Sequence, residues 1–138
     1  MTIHAFTDGA SRGNPGDSGI GVILKDAHGN VLTKVSAYIG TTTNNEAEYS
    51  ALITCLKLAM KTACRVLIVH SDSELMVRQM QGKYKVKEPR LKDYVQQARN
   101  LMSEASFQFK ILHILRERNK EADELANLGI DSRQPLRV

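Results

Sequence analysis

The sequence predicts one α/β domain: a mixed five-stranded sheet, three antiparallel strands and then two parallel ones, with helices on both faces. Three observations carry this. The N-terminal third alternates apolar and polar side chains in three runs joined by short turns, the mark of an antiparallel meander. From Asn44 the apolar spacing changes to a helical one. The stretch "RVLIVHSD", residues 65–72, is then a continuous apolar run of the kind found in buried parallel strands.

The elements follow in order. "IHAFTDG" reads as a first strand ending at Asp8, where Gly9 opens a glycine-rich segment. "SGIGVILKD" and "NVLTKVSAYIG" are the second and third strands around the turn "DAHGN", and Val31, Thr33, Val35, Ala37 and Ile39 share one face by the period of two. "NNEAEYSALITCLKLAMK" is a helix with the stripe Ala47, Ala51, Leu52, Cys55, Leu58 and Ala59, and Asn44 or Asn45 as its N-cap. The fourth strand ends at Asp72. A short helix from about Ser73 to Gln81 stops at Gly82.

"GKYKVKEPR" is a basic connection, and Pro89 starts a helix with Leu91, Tyr94, Val95, Ala98, Leu101 and Met102 on one side. "FQFKILHIL" reads as the fifth strand, and "NKEADELANLGI" as a last helix capped by Asn119. The domain therefore spans residues 3–130, and residues 131–138, with Pro135, form an irregular tail. A helix between the third and fourth strands permits a crossover that sets the fourth strand parallel to the first.

Composition narrows the function classes. The 138 residues suit one core, and 42% hydrophobic with 25% charged residues is the balance of a globular protein rather than a disordered one. No run approaches the ~20 apolar residues that span a bilayer, and no secretory leader is visible, so a cytoplasmic protein is expected. Cys55 and Cys64 are read as reduced, since a helix through most of their spacing holds them roughly 10 Å or more apart. A net charge of +4 is compatible with a polyanionic partner without demanding one.

Four acids stand at comparable places. Asp8 and Asp72 end two buried strands, and Glu48 and Asp123 lie in the first turns of two helices. Each has an ordinary explanation: Asp8 a turn, Asp72 a cap, Glu48 a capping box with Asn45, Asp123 a complement to the helix dipole. Glu48 fits its own worst, because it shares the core-facing side with Leu52, Cys55 and Ala59. Open α/β sheets bind ligands beyond the carboxyl ends of their parallel strands, where adjacent first and fourth strands would join Asp8 to Asp72. Carboxylates ~4 Å apart repel by about 4 kcal/mol at an effective dielectric of 20. Hard divalent cations resolve that repulsion, and a pair of them suits phosphodiester hydrolysis.

The segments "FTDGASRGNPG", "TTTNNEAEYSALI", "VHSDSELMVRQM" and "RNKEADELANLGI", in this order, resemble type 1 ribonuclease H over about residues 3–130. The resemblance implies the ribonuclease H-like fold and an endonuclease that cleaves the RNA strand of RNA–DNA hybrids with two Mg2+ ions, Mn2+ being a substitute. It places the metal ligands on Asp8, Glu48, Asp72 and Asp123, and substrate contacts on Asn14, Asn44 and Asn45, with Thr43 in a DNA-phosphate pocket. Glu46 and Glu124 are expected to be solvated helix charges. The glycines after Asp8 are expected to serve a tight turn and close approach to nucleic acid.

An auxiliary role in product release falls on Arg116, with His113 as the alternative. Some members of the family that the sequence resembles carry a longer, aromatic-rich basic protrusion between the positions of Gly82 and Pro89. Here only "KYKVKE" intervenes, so a full protrusion is not expected, although Lys83, Lys85 and Lys87 remain candidates for DNA phosphates. A monomer acting on the hybrid, without membrane or obligatory protein partner, is the expectation.

Overall fold

The computed structural model describes all 138 residues, Met1–Val138. Its elements are β1 (Thr2–Arg12), β2 (Gly16–Lys25), β3 (Val31–Thr42), α1 (Asn44–Met60), β4 (Val66–Ser71), α2 (Glu74–Met80), α3 (Pro89–Glu104), β5 (Gln108–His113) and α4 (Lys120–Ser132), with a 3-10 turn at Arg116–Arg118 before α4. The sheet order is β3-β2-β1-β4-β5. β1, β2 and β3 pair antiparallel, and β4 pairs parallel with both β1 and β5. This is the sheet the sequence predicts.

Helix α1 packs on β1 and β2 and is itself covered by α3, while α4 lies across β1, β2 and β3. Adjacent residues of a strand face opposite ways, and Gly9 and Gly21 show which helix takes which face. A Cβ on Gly9 would stand 2.2 Å from the Ala47 backbone of α1, and one on Gly21 would stand 2.1 Å from the Ala122 carbonyl of α4. Gly21 pairs with Asp8, and Gly9 with Ile20, so α1 and α4 occupy opposite faces. Both glycines serve the close approach of helices, a role the sequence reading did not give them. Gly13, at φ 129°, is the one that makes the tight turn.

Three features differ from expectation. β1 does not end at Asp8 but continues to Arg12, because β2 supplies antiparallel partners as far as Asp17. What ends near Asp8 is the parallel pairing: Thr7 is the last residue of β1 matched to β4, opposite Ser71. Second, α1 is buried on nearly all sides, Tyr49, Ile53, Thr54 and Leu56 included, because α3 covers the face the single-stripe reading left to solvent. Its mixed apolar and polar periphery hid that.

Third, α4 runs to Ser132, and the tail beyond it, though not a regular element, is pinned to the edge of the sheet. The Tyr38 N–H donates to the Gln134 carbonyl at 2.7 Å, and the Arg133 guanidinium lies 4.3 Å from the Tyr38 ring centre. Cys55 and Cys64 are free and buried. No helix is long and apolar enough to cross a membrane.

Candidate active site

The ordinary explanations of three of the acids fail one at a time. Asp8 is not a turn residue, since it lies within β1. Asp72 does not cap α2, because Ser73 does: its side chain accepts from the Met76 N–H. Glu48 is not in a capping box. The N-cap of α1 is Thr43, not Asn44 or Asn45, and its box partner is Glu46, whose carboxylate accepts from the Thr43 N–H while Thr43 Oγ1 accepts from the Glu46 N–H. Glu46 is thus a cap rather than a solvated charge, and Glu48 is left free to turn inward.

Inward it goes. Glu48 is 5% exposed, and its Oε1 accepts from the Gly9 N–H at 2.8 Å. The bare glycine that lets α1 approach β1 therefore also sets the height at which Glu48 meets Asp8. Carboxylate oxygens of Asp8, Glu48 and Asp72 all lie within 4.8 Å of one another. Asp123, on the first turn of α4, lines the same cleft without joining that group of three. The cleft of about 440 Å³ also takes in Ser11, Arg12, Asn44, Ser73, Arg116 and Asn127.

The electrostatics are those of a site built for a cation. Burial first, then the charges of Glu48 and Asp72, push the Asp8 carboxyl far above the usual carboxylate range, and Asp123 adds to the shift. Burial and then Asp72 likewise raise Glu48, against the Gly9 N–H that favours its anion. Asp72 is raised by burial and pulled back by Asp8, the Arg116 charge and Asn119. Oxygen-only and mutually repelling, this donor set suits a hard divalent cation. Asp8, Glu48 and Asp72 can hold it directly, with Asp123 at the margin.

The other sequence-predicted residues divide. Asn44 and Arg116 line the cleft, whereas Asn14, Thr43, Asn45 and His113 do not. Asn14 adjoins it through a hydrogen bond, its Oδ1 accepting from the Asn44 N–H at 2.9 Å. His113 closes β5, with Nδ1 3.9 Å from Glu74. Lys83, Lys85 and Lys87 line a separate groove with Leu75, Gln79, Tyr84 and Leu91.

Asn119 is more than the helix cap it was read as. Its side chain makes no cap bond; instead Nδ2 donates to the Thr7 carbonyl at 2.8 Å, and the residue is 2% exposed. It ties the strand residue before Asp8 to the start of the helix that carries Asp123. Arg12 and Asn127 were also missed. A polar residue four after Asp123 shares its helix face, and that spacing was the available signal.

Comparison with known proteins gives this geometry a family. The reverse transcriptase-like family matches residues 6–129. LC11-RNase H1, solved as a crystal structure in complex with an RNA/DNA hybrid, superposes with a TM-score of 0.89 at 48% identity, covering 94% of this chain and 97% of that one. This chain belongs to the type 1 ribonuclease H family.

Two further relatives agree with that membership. RNase H1 from the halophilic archaeon Halobacterium salinarum superposes with a TM-score of 0.91 at 36% identity, over 96% of this chain and 99% of that one. A protein of Mycobacterium tuberculosis described as bifunctional is 43% identical over 136 residues, 96% of this chain and 36% of its own length. This chain spans 64% of the curated Halobacterium ribonuclease HI. Within the family the fold is thus that of a ribonuclease H domain.

Proposed function

We propose that residues 3–130 form an endonuclease domain that hydrolyses the RNA strand of RNA–DNA hybrids, leaving 5′-phosphate and 3′-hydroxyl ends. The observation that carries this is the meeting of Asp8, Glu48 and Asp72 within 4.8 Å at the end of the parallel β1–β4 pair. A nucleic-acid binder would gain nothing from repelling acids where phosphates must come. In the reaction, oxygen from water attaches to phosphorus, and the bond from phosphorus to the 3′ oxygen breaks.

Two Mg2+ ions, or Mn2+ in their place, bound by Asp8, Glu48, Asp72 and Asp123 would supply neutralisation of the phosphodiester and activation of the attacking water. The chain's own groups position the substrate. The exposed amide of Asn44 and the Asn14 side chain bonded to its backbone stand beside the acids, where short amides suit riboses and base edges of a minor groove. Asn45 follows on the same turn of α1. Thr43, whose oxygen caps α1, is the residue assigned here to a DNA phosphate. Arg116 is the better candidate for guiding the product phosphate, since it lines the cleft and its charge reaches Asp72. A monomer working in the cytoplasm is the setting we propose.

The test is a hybrid with end-labelled RNA, incubated with the protein and Mg2+, beside duplex DNA, duplex RNA and a chelator control. Cleavage of the RNA strand of the hybrid alone, abolished by the chelator, is expected. Loss of the DNA strand, or cleavage that survives the chelator, would overturn the reading.

A further inference from the structure

Asp123 differs from the other three acids. Like Glu48 it stands on a helix and like Asp72 it is only half-buried, but it alone of the four lies outside the group whose oxygens fall within 4.8 Å of one another. A side chain so placed has rotamers that lead away from the cleft. Something has to hold it if it is to share a ligand with Asp8.

We propose that Asn127, backed by Arg12 and Asp131, is a positioning residue that aims Asp123 into the cleft and thereby sets the cation affinity on that side of the site. This rests on the reading of the four acids as metal ligands. Asn127 lies one turn beyond Asp123 on α4. Its Nδ2 donates to the Asp123 carbonyl at 3.0 Å and reaches Asp123 Oδ1 at 3.4 Å. Its Oδ1 accepts from Arg12 Nη2 at 3.2 Å, and Arg12 Nη1 pairs with Asp131 Oδ1 at 2.5 Å.

Chemistry alone fixes which way the amide points. A guanidinium only donates and a carboxylate only accepts, so Asn127 must turn its oxygen to Arg12 and its NH2 to Asp123. A positive charge on the carbonyl side polarises the amide and strengthens its N–H as a donor. The order along the chain of contacts is acid, guanidinium, amide, acid, and every link has matched polarity. Arg12 is needed as arginine, because it reaches two acceptors on two helical turns from one planar fork.

The ordinary reading is that Arg12–Asp131 is a surface ion pair and Asn127 a helix residue bonding back one turn. That reading explains neither the poor helix former in the middle of α4 nor its position in the cleft with Arg12 and Asp123. Partners of metal-ligating carboxylates commonly govern metal affinity by about ten- to a hundredfold.

The experiment measures Mg2+ dependence in two ways on the full chain. One is the Mg2+ concentration for half-maximal hybrid cleavage; the other is the rise in melting temperature with Mg2+ in the absence of substrate. Asn127→Leu keeps the branched shape of the side chain and favours the helix while removing the amide. We expect about a tenfold higher Mg2+ requirement in both readouts, recovery of the rate at saturating Mg2+, and an unchanged metal-free melting temperature.

Arg12→Gln should act in the same direction, and it carries the test alone if Asn127→Leu does not fold. Unchanged Mg2+ dependence in the folded variants would overturn the proposal. So would a rate loss that Mg2+ does not restore together with a lower metal-free melting temperature, which is the signature of a structural role. If the unaltered protein neither cleaves hybrid nor responds to Mg2+, the metal-site reading itself fails, and this inference with it.

Discussion

The cleft floor and the rim of the same molecule treat aspartate in opposite ways. On the floor, Asp8 is 5% exposed and surrounded by Glu48, Asp72 and Asp123, and its carboxyl is pushed up toward the protonated form. On the rim, Asp131 is exposed, paired with Arg12, and its carboxyl is held below the usual range by that bond. Asp17 is likewise matched, by Arg133 at 3.0 Å. Charges on the rim are exposed and paired with their opposites; the acids on the floor are crowded against one another. The floor is thus a place where the metal-free fold works against itself, and a bound cation relieves it.

The sharpest way to break this contrast is to neutralise a floor acid. Asp8→Asn or Asp123→Asn is expected to cost more in hybrid cleavage than the ~10–100-fold typical of residues that merely support a ligand. Its metal-free melting temperature should equal or exceed that of the parent protein. A calorimetric scan checks the second half, and a clear drop would show that the acid is structural.

Next in size is Asn119→Ala. It strips the buried Thr7 carbonyl of its partner, which costs about 1–3 kcal/mol. Urea unfolding should register that loss. Equal stability would mean that the strand and α4 are not held together by this bond.

The pH dependence tests the floor from another side. Asp8 and Glu48 have folded-state affinities for protons raised above their unfolded ones. Their contribution to stability is therefore fully present below the unfolded values of about 4 and is lost as pH rises toward the raised folded values. The metal-free protein should weaken progressively above that point, and Asp8→Asn should flatten the slope. Melting curves at stepped pH, with and without Mg2+, measure it. Mg2+ binding should also release protons at neutral pH, seen as a buffer-dependent heat. The smallest effect belongs to the rim: Asp17→Asn should barely move the melting temperature, and less still as salt is added.

The sequence carried the strand and helix order because each element has its own local signal. The alternation in "NVLTKVSAYIG", the unbroken run in "RVLIVHSD" and the stripe after Pro89 all depend on near neighbours in the chain. It carried the four acids for a related reason: each sits at the end of a pattern, and the four motifs occur in family order. Which asparagine or threonine caps α1 was not legible. "TTTNNEAE" offers several capping residues and two acids at suitable spacings, and only the docking of α1 on Gly9 decides that Glu46 caps while Glu48 turns in.

The remaining gaps have the same cause. The burial of α1 all round waited on α3, far along the chain, and the bond from Asn119 to Thr7 spans 112 positions. Arg12, Asn127 and Asp131 form one line only because α4 crosses the sheet beside β1. By itself, then, the sequence determined the fold class and the family and singled out four acids, three of which the structure groups together, because all of these rest on local pattern and order. Tertiary structure alone decided which polar groups meet, because hydrogen bonds of fixed length are set by packing, and packing is invisible to spacing along the chain.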